Sequence, residues 1–411
     1  MIRKVTVKVL VVHNYYQQPG GEDATCEQEC RLLERSGHQV VFYRRSNKEI
    51  EGLTGWRRLQ LSADTIWNGR SRCEFLDLLG RERPDVVHVH NTFVVISPSI
   101  FSACQEAGVP VVQTVQNYRL FCPAATFFRD GRICEECLHH GLWRGVRHAC
   151  YHHSQAATAV VALMIAINRR RGTWPGKVDR IIAVTNFSRK KMIEAGLPEH
   201  QVVVKPNFVY PDPGEGSGPR DYALFVGRLA PEKRVNVLLT AWSKLREPIP
   251  LVIAGGGPER EALEAQARRD GLSHVRFLGQ VPRVETIAAI QAARFLVFPS
   301  EWYEGFPVTI CEAFACGTAV ICSRLGAMQE VVDDRRTGLH FTPGDAAELA
   351  EKVTWAWNQP AEARAMGRAA RQEFEAKYTA ESNYPLLMEI YEAARNRRDR
   401  SPASLTVALA G

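Results

Sequence analysis

The sequence predicts an α/β protein built from two doubly wound parallel-sheet domains. Three observations predict it. The chain has 411 residues, more than one hydrophobic core usually covers. Short β-branched runs alternate with helical patterns along its whole length, and that rhythm implies parallel strands with helices on both faces. One stretch rich in Pro, Gly and charge, "VYPDPGEGSGPRD" at 209–221, interrupts the rhythm and reads as a linker.

The elements follow in order. "VKVLVVH" (7–13) predicts the first strand. A Gly-Gly loop and the helical segment "DATCEQECRLLERSGH" come next, with Gly37 as its cap. "QVVFYR", "DVVHVH" (85–90), "VPVVQTV" (109–115) and "RIIAVT" (180–185) are further strands. After the linker come "YALFVGR" (222–228), "PLVIAGGG" (250–257), "VRFLG" (275–279), "FLVFPS" (295–300) and "AVICS" (319–323). The expected layout is an N-terminal domain over 1–208, the linker, a C-terminal domain over 222–378, a helix over 379–396 and a flexible tail over 397–411.

Charged residues make 24% and hydrophobic ones 45%, ordinary values for a soluble globular protein. The net charge of +7 is unevenly spread. Residues 118–191 hold 13 Lys and Arg against 4 Asp and Glu, so the remainder is slightly acidic. A basic segment attracts phosphates or an anionic membrane surface, and it is equally a solvated face. The run "AATAVVALMIAI" (156–167) is too short to span a bilayer and suits a buried or interfacial helix. The start of the chain lacks a cleavage-site pattern, so the expected location is the cytoplasm, with peripheral contact at the inner membrane face through 118–191. Eleven cysteines in that setting suggest thiols or metal rather than disulfides.

The chemistry should lie just after strands, where ligands of such sheets bind. "FVGRLAPEKRV" puts Arg228 after a strand and Lys233 near a helix start, an arrangement suited to an anion. "VIAGGGPEREAL" offers glycines, among them Gly256, that let backbone approach a nucleotide. In "SEWYEGFPVTICEAFACGTAVICS" (300–323) a strand leads to a loop carrying Glu304 and then to a helix carrying Glu312. The N–H groups of Phe306, Val308 and Thr309 lie at that helix start, where they can meet phosphate, and Pro307 suits its first turn. A carboxylate at Glu312 can accept hydrogen bonds from a vicinal diol such as a ribose. Together these features describe a sugar-nucleotide site.

The last segment resembles the E-x7-E motif of retaining glycosyltransferases of family 4, which adopt the GT-B fold: two Rossmann-like domains facing across a cleft. "GRLAPEKR", "AGGGPER", "VRFLGQV" and "NYYQQPGGE" match that family in its order, over roughly residues 5–395. The resemblance implies a nucleotide-diphosphate sugar donor. Glu304 would contact the donor sugar and Glu312 the ribose, while Arg228 and Lys233 would neutralise the diphosphate. Gly227 and the backbone of 306–309 would support it, Gly20 and Gly21 would approach it, and Asn207 would match the family's interdomain asparagine. Where the family usually carries a histidine after the strand "VVQTV", this chain has Gln116, which hydrogen-bonds but does not titrate. That fits a front-face reaction in which the leaving phosphate takes the acceptor proton. His90, and behind it His88, are the nearest titratable alternatives, each also readable as a structural histidine.

Cys122, Cys134, Cys137 and Cys150 are spaced C-x11-C-x2-C-x12-C, a pattern suited to four-thiolate structural zinc, with His148 able to replace one ligand. The resemblance implies that this four-cysteine insertion, residues 118–153 of the N-terminal domain, would mark a subfamily. No Asp-x-Asp occurs, and no catalytic metal is expected. The resulting expectation is transfer of a hexose-type sugar to a glycan or polyprenyl-linked acceptor in cell-surface polysaccharide synthesis, with no nucleic acid partner. The alternatives are a nucleotide-sugar 2-epimerase of the same shape and a zinc-stapled, non-catalytic nucleic-acid-binding protein.

Overall fold

The computed structural model describes residues 6–17, 20–218 and 220–399. Most of the tail expected beyond 397, and Gln18 and Pro19 of the glycine loop, lie outside these. The chain divides into two compact units. One holds residues up to 127, 135–206 and 383 onward; the other holds 128–134 and 207–382.

The first unit is built on a six-stranded, all-parallel sheet. Its strands are β1 (Lys8–Tyr15), β2 (Gln39–Ser46), β3 (Val86–Asn91), β4 (Val111–Val115), β7 (Arg180–Ala183) and β8 (Val202–Val204), in the order β2-β1-β3-β4-β7-β8. The six central residues of β1 are buried, because helices cover both faces. One face packs Val9, Val11, Val86, Val112 and Ile182 against Cys26, Cys30 and Leu33 of the Gly21–Arg35 helix. Leu387, Ile390, Tyr391 and Ala394 of the last helix, Ala380–Asp399, complete that core. Gly37 ends the first helix at φ +86, as its sequence position suggests.

The second unit carries β9 (Ala223–Val226), β10 (Leu251–Ala254), β11 (Val275–Gly279), β12 (Phe295–Phe298), β13 (Ala319–Ser323) and β14 (Gly338–Phe341). Their order is β11-β10-β9-β12-β13-β14, all parallel. The core gathers Phe225, Ile253, Val297 and Ile321 of the sheet with Leu238, Trp242, Leu349 and Val353 of its helices. The order reverses between β9 and β12, which is the topological switch point.

Three features differ from the sequence reading. β8 and β14, three and four residues long, were not anticipated. A hairpin of β5 (Phe128–Arg129) and β6 (Arg132–Ile133) turns at Asp130-Gly131, both at positive φ, and it belongs with the second unit despite lying within the cysteine segment. The stretch read as a linker is pinned to the second unit. Asp212 takes two 2.7 Å bonds from Arg371, and Arg220 donates to the Gly317 carbonyl at 2.6 Å. Its Pro and Gly content sets its turns without freeing it.

Candidate active site

In the second unit the site forms at the switch point. After β9 the chain makes a 3-10 turn, Pro231–Lys233, before the Val235–Trp242 helix begins. After β12 comes the loop to the Val308–Ala315 helix. Three bonds join the loops. Lys233 Nζ donates to Glu304 Oε1 at 2.5 Å, Arg234 Nε to Glu301 Oε2 at 2.7 Å, and the Glu301 N–H to the Glu232 carbonyl at 3.0 Å. The Lys233 ammonium also lies 5.2 Å from the Phe298 ring centre and 5.3 Å from that of Trp302, within cation–π range. The lysine is thereby held by a carboxylate and two rings at the end of the sheet. Arg228 is exposed beside it, bonded to Glu232 at 2.6 Å.

Glu312 sits one helix turn past the loop and is buried, with Arg283 Nη2 3.2 Å from its Oε1. Burial pushes its carboxyl up from the ordinary range, and Arg283 pulls it partway back. Arg283 was missed by sequence reasoning, because it starts a different helix, Arg283–Ala292. The phosphate-cradle expectation needs one change. The Val308 N–H already donates to the Phe306 carbonyl at 3.0 Å, so the turn consumes it. Phe306 is buried and Pro307 is the residue before the helix, while Thr309 is half-buried in its first turn.

The glycines after β10 have a different local role from the one expected. A Cβ on Gly255 would stand 1.8 Å from the Gly227 carbonyl, and one on Gly257 would stand 2.3 Å from the Leu229 carbonyl. Their φ values are +150 and +156. They let this loop press on the Gly227–Leu229 loop that carries Arg228. Gly256 itself has room for a side chain, its nearest neighbour being Gln280 at 3.7 Å. Asn207 opens the second unit and is buried.

The first unit has its own pocket at the carboxyl ends of β1, β3 and β4. Tyr16, Glu22, His90, Phe93, Gln116 and Arg119 are among its lining residues. Gly20 and Gly21 begin the helix that carries Glu22, and nothing lies within 4 Å of a Cβ on either. The Glu22 carboxylate accepts from Tyr16 Oη at 2.8 Å and from Asn117 Nδ2 at 3.0 Å, and burial pushes its carboxyl up. Glu22 was also missed, although "PGGE" placed it at a helix start. Below it, His88 and His90 stack with ring centres 4.4 Å apart over Glu29. Glu29 is bridged by Lys205 at 2.9 Å, and this carboxylate is held well below its ordinary range; burial opposes that effect and Lys205 and His88 outweigh it. His88 is committed to structure, with ring nitrogens 2.8 Å from Tyr391 Oη and Thr114 Oγ1. Burial pushes the His90 imidazole down to about 4, so it is neutral near pH 7.

Cys137 and the backbone of Cys150 both meet Gly145. Cys137 Sγ and the ring of Pro123, which follows Cys122, each approach a Cβ position there to 3.1 Å, and the Cys150 N–H donates to the Gly145 carbonyl at 3.1 Å. Cys134 lies in the hairpin segment assigned to the second unit. Among the described residues, the groups that bring ligand atoms together are Glu29–His88–His90 and Glu135–His139–Glu194, and each already has a lysine ammonium on its glutamate.

Comparison with known proteins agrees with this layout. The family model "Glycosyl transferase 4-like domain" matches residues 20–207, and "Glycosyl transferases group 1" matches 214–373. Each half of the chain thus matches a glycosyltransferase domain model. Among its relatives is the glycogen synthase of Mycobacterium tuberculosis, 35% identical over 190 residues, covering 45% of this chain and 45% of that one. Phosphatidyl-myo-inositol mannosyltransferase of Mycobacterium leprae is 35% identical over 218 residues, 50% of this chain and 56% of that one. The chain thus spans about half the length of the curated relatives it matches. Anabaena Alr3699/HepE, solved in complex with UDP, superposes with a TM-score of 0.66 at 16% identity, covering 94% of this chain and 100% of that one, which shows a shared GT-B fold. No helix among the described residues is long and apolar enough to cross a membrane.

Proposed function

We propose that this protein is a retaining glycosyltransferase that moves a hexose-type sugar from a nucleotide-diphosphate donor to a glycan or lipid-linked acceptor. The observation that carries the reading is the Lys233–Glu304 pair at the switch point of the second sheet. A diphosphate placed there meets an ammonium already oriented by two rings and a carboxylate, with the exposed Arg228 guanidinium beside it. Preorganised charge of this kind stabilises the leaving group as its bond breaks. Glu304 then faces the hydroxyls of the transferring sugar, and Glu312 the ribose. With Gln116 unable to titrate and His90 neutral, the leaving phosphate is the base for the acceptor hydroxyl. The UDP in the Anabaena neighbour's complexes and the polysaccharide and lipid acceptors in the relatives' names support this donor and acceptor class.

Cys122, Cys134, Cys137 and Cys150 would hold a structural zinc ion. The tight C-x2-C spacing and the soft donor set fit that ion. Metal content of the purified protein, with the thermal midpoint before and after chelation, tests it.

The donor site is tested by thermal stabilisation with a panel of nucleoside diphosphates. A true ligand raises the midpoint in wild type by mass action and far less in Glu312→Ala. Retention is read from the anomeric configuration of the product. Midpoints unmoved by every diphosphate would overturn the donor assignment.

A further inference from the structure

The first unit carries an apolar groove that the donor chemistry does not use. It runs between the Gly55–Ile66 helix and the Gln155–Arg170 helix, with Leu53, Leu61, Val94, Tyr151, Ala157 and Val160 among its lining residues. Its floor is the cluster of Val161, Met164 and Ile165 with Ile66, Phe93 and Tyr151 packed on it. The Gly55–Ile66 helix turns Leu61 and Thr65 to the groove together with Arg58, which is exposed. Leu163 of the facing helix is 51% exposed.

The groove adjoins the polar pocket of the same unit, with Thr65 and Phe93 lining both. A cation marks the junction. The Arg119 guanidinium lies 4.4 Å over the Phe93 ring and 5.0 Å from the Tyr151 ring centre, so one ring pair of the groove carries the arginine of the polar pocket. The order along the surface is therefore hydroxyl-binding groups, a fixed positive charge, then hydrocarbon. That order matches an amphiphile: sugar or hydroxyl, phosphate, then tail.

We propose that this groove takes the hydrocarbon tail of a lipid-phosphate acceptor, with Arg119 on the phosphate and the pocket beside Gln116 and Glu22 on the accepting end. The proposal rests on the glycosyltransferase reading and narrows its acceptor. Apolar burial along the groove supplies affinity that grows with tail length, while the arginine supplies the headgroup preference. Arg57 and Arg58 beside the groove suit the anionic surface from which such a lipid is drawn.

Titration calorimetry with isopentenyl, geranyl and farnesyl phosphate, below their aggregation limits, tests the assignment. Affinity should rise at least tenfold from the five-carbon to the fifteen-carbon compound. Val160→Asp, and separately Ala157→Asp, both at half-buried lining positions, should each remove most of that gain. Arg119→Ala should weaken farnesyl phosphate at least fivefold and leave farnesol unchanged. Affinity that is flat with tail length, or a gain that survives both groove variants, overturns the proposal. So does binding to phosphatidylglycerol vesicles without any binding of farnesyl phosphate. Nucleoside diphosphate stabilisation measured on the same protein separates the two readings. If it persists while the lipids fail, the groove assignment falls alone; if it too is absent, the transferase reading falls with it.

Discussion

At the residue scale, the two glutamates of the second unit differ in what holds them. Glu304 is bonded to the lysine at the switch point, and Glu312 is buried against Arg283. Neutralising each should therefore separate two steps. Glu312→Gln is expected to weaken donor binding by about 1–2 kcal/mol, roughly tenfold, with little change in kcat. Glu304→Gln is expected to lower kcat by roughly 100-fold with donor affinity nearly intact, because its charge orients Lys233 and the reacting sugar. Donor titration alongside single-turnover rates reads both. His90 gives a pH prediction. Its folded value of about 4 lies below the ordinary 6.5, so the unfolded chain takes up the proton first. Stability should fall as pH drops from 6.5 through 4, by on the order of 3 kcal/mol at most, and be independent of this group above 6.5. Urea midpoints across that window, compared with His90→Gln, check it; an equal slope in the variant would assign the effect elsewhere.

At the element scale, two loops after β9 and β10 behave as one piece because Gly255 and Gly257 admit backbone where any side chain would collide. Gly255→Ala and Gly257→Ala should each cost about 2–4 kcal/mol and blunt nucleotide stabilisation, since the loop bearing Arg228 must move. Gly256→Ala should be near neutral, within about 0.5 kcal/mol, because space is open there. Three thermal melts with and without nucleoside diphosphate decide the matter. The sequence showed a glycine run after a strand, and the strand-loop-helix order around it was legible. Which glycines were needed was not, because the colliding carbonyls come from a loop about 28 residues earlier. Asp130-Gly131 was legible as a turn and went unread within the cysteine pattern. Arg283 and Glu22 had no spacing signal relative to the residues they join.

At the scale of the whole molecule, the last helix is part of the first unit's core. Leu387, Ile390, Tyr391 and Ala394 are buried there, Tyr391 meets His88, and Asn383 accepts from Lys205 Nζ at 2.9 Å. Ending the chain after Tyr378 removes that apolar cover, worth roughly 5–8 kcal/mol, and leaves the Lys205–Glu29 pair open on one side. The expected result is a fall of about 10 °C or more in the midpoint of the first unit, seen by calorimetry, with nucleotide stabilisation of the second unit retained.

The sequence by itself determined the two-sheet architecture and the positions of Arg228, Lys233, Glu304 and Glu312 after their strands. Those follow from local periodicity and from the rule that chemistry gathers at the carboxyl ends of parallel strands. Only the tertiary structure decided which charge meets which. Lys233 meets Glu304 and not Glu301, Glu29 meets Lys205 and two histidines, and Arg119 lies on Phe93 at the mouth of an apolar groove. Such pairings join residues tens to hundreds of positions apart. They depend on strand order and packing, which no local pattern encodes.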